Sequence, residues 1–169
     1  MMFAIPEPLH PAVVHLPIAL AVLIPGLALL AAVTIRLKLV AARTWWAVLL
    51  LQLVLLGSIW AALETGEDEE ERVERVVAER HIEAHEELAE RFQLVGAVAL
   101  VFVAGGLLPG TAGGFARAAA VLATLGVLAA GVQVGHSGGE LVYRYGAAGA
   151  YIQGVDGGAS GQYDSTHDR

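Results

Sequence analysis

Four stretches of the chain, residues 8–35, 44–63, 92–116 and 118–139, contain no aspartate, glutamate, lysine or arginine. Each is long enough to cross a bilayer, because a spanning helix needs ~20 mostly apolar residues. In lipid the backbone must satisfy its own hydrogen bonds, so runs of this kind fold as helices. The sequence therefore predicts an all-α fold, an integral membrane four-helix bundle with spans at about 12–35, 44–63, 92–108 and 118–136. With 56% hydrophobic residues gathered into these runs, an ordinary soluble domain is excluded. The sequence has no cysteine. That removes disulfides, thiolate metal sites, cysteine-ligated clusters and covalently attached c-type haem.

Lysine and arginine in short connections set orientation. Arg36, Lys38 and Arg43 lie between the first two spans, and Arg117 lies between the last two, with no acid in either link. Those links are expected in the cytoplasm. The N-terminus, the acidic segment 64–91 and the C-terminal region then face outward, periplasmic if the membrane is the inner membrane of a diderm bacterium. Residues 1–9 lack a positive n-region and the following apolar run is too long, so a cleaved signal peptide is not expected. The formal charge of −7 is concentrated in 64–91, where 12 acids face 4 arginines. No long basic run exists, which argues against nucleic acid as a partner. Pro17 and Pro25 are expected to bend the first span. Trp45, Trp46 and Trp60 are expected at headgroup level, and Leu107 to Gly114 should form the turn between spans three and four.

Within the acidic segment, Val73, Val77, His81, Ala84, Leu88, Phe92 and Val95 fall on one helical stripe. This spacing predicts one long third helix from 67 to about 107. Residues 67–91 would be its extension outside the membrane, capped near Thr65 and Gly66 with acids in the first turns. Residues 147–169 read as a Gly-rich extramembrane tail.

Five of the six histidines fall on the outward side: His10 and His15 at the start of span one, His81 and His85 before span three, and His136 after span four. His167 is in the tail. Any one of them is most simply a headgroup-level histidine; their convergence points to a shared site. His81 and His85, four apart, put two imidazoles on one helical face, a spacing that suits a metal ion. His15 is expected to point into the bundle. Span four carries Gly126, Gly131 and Gly135 before His136-Ser137-Gly138-Gly139, and such small residues serve plain helix packing or the close approach of a macrocycle. The sharper expectation is a haem b site held by His15, His85 and His136 and walled by Gly135 and Gly138, in a b-type cytochrome-like electron-transfer subunit. The alternative is copper or zinc bound by His10, His15, His81, His85 and His136, with Glu79, Glu83 and Glu86 orienting the imidazoles. A third reading is a cofactor-free accessory subunit that docks other redox or membrane-complex subunits through the acidic helix 67–91 and the tail. Transport is disfavoured because no ionisable acid or base lies within a span. Hydrolysis is disfavoured because Ser58 and Thr124 have no catalytic partners at their depth.

The combination of His10-Pro11-Ala12-Val13-Val14-His15-Leu16-Pro17, Thr65-Gly66, His85-Glu86 and Gly138-Gly139-Glu140-Leu141-Val142-Tyr143 resembles a bacterial family of four-span membrane proteins catalogued as a domain of unknown function. The resemblance covers about residues 10–146. It implies redox company, since that family is found joined to Rieske-type and cytochrome c modules. It also implies that His10, His15 and His85 correspond to the family's histidines. His136 matches a subset of the family, and His81 has no counterpart there.

Overall fold

The computed structural model describes residues 8–152. Most of the expected tail, His167 included, lies outside the described residues. Among those described, every element is helical: α1 (His10–Val13), α2 (His15–Arg36), a 3-10 turn (Ala42–Thr44), α3 (Trp45–Val73), α4 (Glu79–Gly105), α5 (Gly110–Tyr143) and α6 (Gly149–Ile152). α2 through α5 supply four helices long and apolar enough to cross a membrane. Each packs on the next and α5 returns to α2, closing a four-helix bundle. Short connections make sequence neighbours antiparallel.

Two apolar clusters fill the bundle. Leu20, Ala21 and Ile24 meet Leu55, Ile59, Phe92, Ala99 and Val127 in one. In the other, Ala28 and Ala31 meet Trp45, Val48, Leu49, Val103 and Ala120. The outward faces are apolar as well, with Val22, Leu30, Leu50, Val101 and Leu122 among the exposed side chains. Helices apolar on every side suit a lipid environment. Ser58 and Thr124 spend their hydroxyls on Leu55 and Val121 carbonyls of their own helices, which removes them from chemistry. The first helix is interrupted at Val14. Pro17 has no N–H to offer the carbonyl of Val13, so the ladder fails one turn earlier.

The acidic segment departs from expectation. It is not one long third helix starting near residue 67; α3 continues through Thr65 and Gly66 to Val73, the chain turns over 74–78, and α4 starts at Glu79 after an extended Ala78. Thr65 does not cap a helix. Its hydroxyl donates back to the carbonyls of Ala61 and Ala62 at 3.0 and 3.1 Å, the bonding of a threonine inside a helix. The fold-back has an apolar cause: Val77 and Ile82 bury against Ala147, flanked by Val73, Val76, Leu141 and Tyr145. As a consequence Glu67 to Glu71 occupy the last turns of α3, where the helix dipole disfavours negative charge, rather than the first turns of α4.

The other end of the bundle is built around Trp45. Expected at headgroup level, it is fully buried among the helices at the start of α3, and its indole N–H donates to the Val103 carbonyl at 2.8 Å. Trp46 and Trp60 keep exposed positions. Gly106 lies directly against the Trp45 indole, where a Cβ has no room. The turn is shorter than expected, because α5 already begins at Gly110, with φ of 67°, and Gly113 tucks under the Leu108 carbonyl inside its first turn.

Candidate functional site

Glu69, in the final turns of α3, fixes the site's first wall. One of its carboxylate oxygens accepts the backbone N–H groups of Leu9 and His10 at 2.7 and 3.1 Å, and the other accepts the Tyr151 hydroxyl at 2.6 Å. The first N–H groups of a helix have no partner inside it, so this carboxylate acts as a cap supplied from another helix. Tyr151 also lies under the Arg72 guanidinium at 5.4 Å. Chain segments from both ends of the described region are thereby fastened to α3, and His10 is held where α1 begins.

Two imidazoles, one from α1 and one from α4, meet edge to face. The His10 and His85 ring centroids are 6.4 Å apart with planes at 89°. His10 Nδ1 lies 2.9 Å from the Ala62 carbonyl and 3.3 Å from Thr65 Oγ1. A carbonyl only accepts, so Nδ1 carries a proton, and in the neutral ring Nε2 is then the bare nitrogen. His85 Nδ1 lies 2.8 Å from Ser137 Oγ, whose own proton goes to the Val134 carbonyl at 2.9 Å. The serine therefore accepts, Nδ1 of His85 is again the protonated nitrogen, and its Nε2 is bare as well. Such a partner on the far nitrogen is what fixes a ligating histidine's tautomer and orientation. Glycines make room for both rings: a Cβ on Gly66 would sit 3.4 Å from His10, and one on Gly138 would sit 3.1 Å from His85 Cε1. His85 lies in the part of α4 preceding residue 92. Burial, and after it the neighbouring His10, lower its imidazole from 6.5 to about 4, so it is neutral near pH 7.

The other expected ligands are elsewhere. His15 is exposed on α2 instead of pointing into the bundle. His136 is exposed on α5, where with Gly135, Gly139, Glu140, Tyr143 and Arg144 it borders an open groove. Gly135 has nothing within 4 Å of a Cβ and walls no ring. His81 is stacked on Tyr145 at 3.8 Å and 15°. Gly138 does line the site, against His85. Among the described residues no group of three or more histidines, aspartates or glutamates is arranged to hold a metal ion. Glu79 and Glu83 are exposed. Glu86 is raised above its ordinary value by burial, then by Glu70, Glu67, Glu90 and Glu83, so it feels the facing arm of the acidic hairpin. The orienting groups are the Ala62 carbonyl, Thr65 and Ser137, with Glu69 behind His10. Their signal was present as two hydroxyl-glycine dipeptides, Thr65-Gly66 and Ser137-Gly138, each supplying an acceptor for Nδ1 beside a gap for the ring.

Four separated motifs thus meet at one place: His10, Thr65-Gly66, His85 and Ser137-Gly138. Comparison with protein-family models, with curated proteins and with solved structures returned no match to this chain.

Proposed function

We propose that this chain is a four-span protein of the bacterial inner membrane that carries electrons, and that His10 and His85 are the residues that would hold a haem b. The carrying observation is that two imidazoles from separate helices lie 6.4 Å apart between centroids, each with Nδ1 engaged by a neighbouring oxygen. A porphyrin supplies four of iron's ligands itself, so two imidazoles suffice. Zinc needs three or four protein ligands, which the described residues do not gather around this pair. The copper or zinc reading is therefore the weaker one. Bound haem would supply one-electron chemistry; the chain's residues hold it. Glu69 anchors the His10 backbone, Thr65 and Ser137 aim the two rings, and Gly66 and Gly138 keep the space beside them open.

In this reading the histidine end faces the periplasm, and the acidic hairpin beside it meets a redox partner. Reduced-minus-oxidised spectra of the detergent-purified protein, with metal analysis of the same sample, test the haem. A sharp reduced α band with stoichiometric iron is expected, and His85→Ala is expected to abolish it while His136→Ala leaves it in place. A featureless wild-type spectrum, or a band lost in His136→Ala and kept in His85→Ala, sinks the assignment.

A further inference from the structure

At the opposite end of the bundle, Arg117 of α5 is only partly exposed, and its guanidinium carbon lies 5.8 Å from the Trp45 ring centroid. Its Nε is buried with no hydrogen-bond partner among the described residues. The indole beneath it is rigidly set: fully buried, bonded to the Val103 carbonyl and pressed against Gly106. The indole face holds the guanidinium by a cation–π contact, which still leaves its N–H donors for an acceptor. The surroundings offer no acidic one. Residues 36–44 and 105–118 contain no aspartate or glutamate, while Arg36, Lys38 and Arg43 add three cations at the same end, none of them ion-paired among the described residues. A buried donor without an acceptor destabilises the fold. An anion from outside the chain would balance this charge at the partly exposed side of the guanidinium, while Nε itself stays buried.

Lys38 stands between Leu37 and Leu39, which are 63% and 70% exposed, and Trp46 beside Trp45 is 53% exposed. The rim that presents the cations also presents apolar side chains, which suits a phosphate attached to acyl chains better than a free one. We propose that Arg117, set over Trp45 at the end of the bundle that also carries Arg43, Arg36 and Lys38, binds the phosphodiester of an anionic phospholipid headgroup. The guanidinium fork matches two phosphate oxygens, and the other cations at that end supply the longer-range attraction. This site rests on the reading of the chain as membrane-spanning but not on the haem.

The test is a lipid titration of the full chain in neutral detergent, read by native mass spectrometry and by thermal midpoint. Phosphatidylglycerol, phosphatidylcholine and inorganic phosphate are the three probes. Phosphatidylglycerol is expected to bind and raise the midpoint; phosphatidylcholine and inorganic phosphate at equal concentration are expected to do neither. Arg117→Gln is expected to weaken phosphatidylglycerol binding about tenfold or more, the worth of one charge-assisted hydrogen bond. Arg117→Lys keeps the charge and stem but loses the fork, and should weaken binding in the same direction. If Arg117→Gln does not accumulate, Arg117→Lys and Arg43→Gln carry the comparison. Arg91→Gln, at the other end, should bind as wild type. Equal response to phosphatidylcholine, a full response to inorganic phosphate, or undiminished binding in Arg117→Lys and Arg43→Gln would overturn the proposal. The α band recorded on the same samples reports the haem separately, and alkaline carbonate extraction of membranes reports the spans.

Discussion

The two ends of the bundle solve one problem, seating an aromatic nitrogen ring between helices, in opposite ways. At the tryptophan end, Gly106 admits the Trp45 indole, whose single N–H is spent on the Val103 carbonyl. Nothing is left over, and the ring is pure structure. At the histidine end, Gly66 and Gly138 admit two imidazoles whose protonated nitrogens are likewise spent, on a carbonyl and a serine hydroxyl. Imidazole has a second nitrogen, so each ring there keeps a lone pair. Packing is therefore expected to dominate the ring at one end, and titration the rings at the other.

The largest effect separating them is predicted for the glycines. A Cβ at 106 falls inside the Trp45 indole, and overpacking against so fixed a ring is expected to cost about 3 kcal/mol. Gly138→Ala sets a Cβ 3.1 Å from His85 Cε1, and a histidine on one hydrogen bond can shift by the few tenths of an ångström required. Below ~1 kcal/mol is expected there, with weakened α-band absorbance as the main consequence. Unfolding of both variants in detergent measures the pair. Equal losses of stability would show that the histidine end is packed as tightly as the tryptophan end.

Acid is predicted to act on the histidine end first. The His85 imidazole takes a proton near pH 4 in the folded chain against an ordinary 6.5. Between these values the unfolded chain binds more protons, so stability is full above about 6.5 and falls as pH drops toward 4. The loss approaches ~3 kcal/mol once both values are passed. His85→Asn should flatten this slope. A slope of the same size in that variant would locate the titration elsewhere, for example in the acidic hairpin where Glu86 is raised.

Four uncharged runs were enough to read the four-helix architecture, because a period-free apolar stretch of that length has few alternatives to a helix. The place where the helices end was not readable in the same way. Thr65-Gly66 carries the residue types of a boundary, yet α3 passes through it, since the threonine finds carbonyls within its own helix and the glycine packs beside His10. The true break at 74–78 depends on burial of Val77 and Ile82 against Ala147, a contact made from the far end of α5. The histidines follow the same logic. His10 and His85 belong to helix ends whose relative rotation no local pattern specifies, and hydropathy puts His15 and His136 at equally suitable depths. The exposed His15 and the stacking of His81 on Tyr145 come from that rotation.

Lys38 gives the smallest effect and the one that ties backbone to charge. It lies in the left-handed region at φ 59°, just past the end of α2, with its own N–H bonded to the Ile35 carbonyl and that of Leu39 bonded to Thr34. This is the reversal that commonly closes a helix with glycine, and a side chain there carries ~1 kcal/mol of strain. Lys38→Gly is therefore expected to raise stability by about 1 kcal/mol in neutral detergent. The same change removes one of four cations from the tryptophan end, so part of that gain should vanish in phosphatidylglycerol. If the gain is equal in both lipids, Lys38 lies beyond reach of the headgroup, and the anion at that end is held by Arg117 and the two remaining arginines alone.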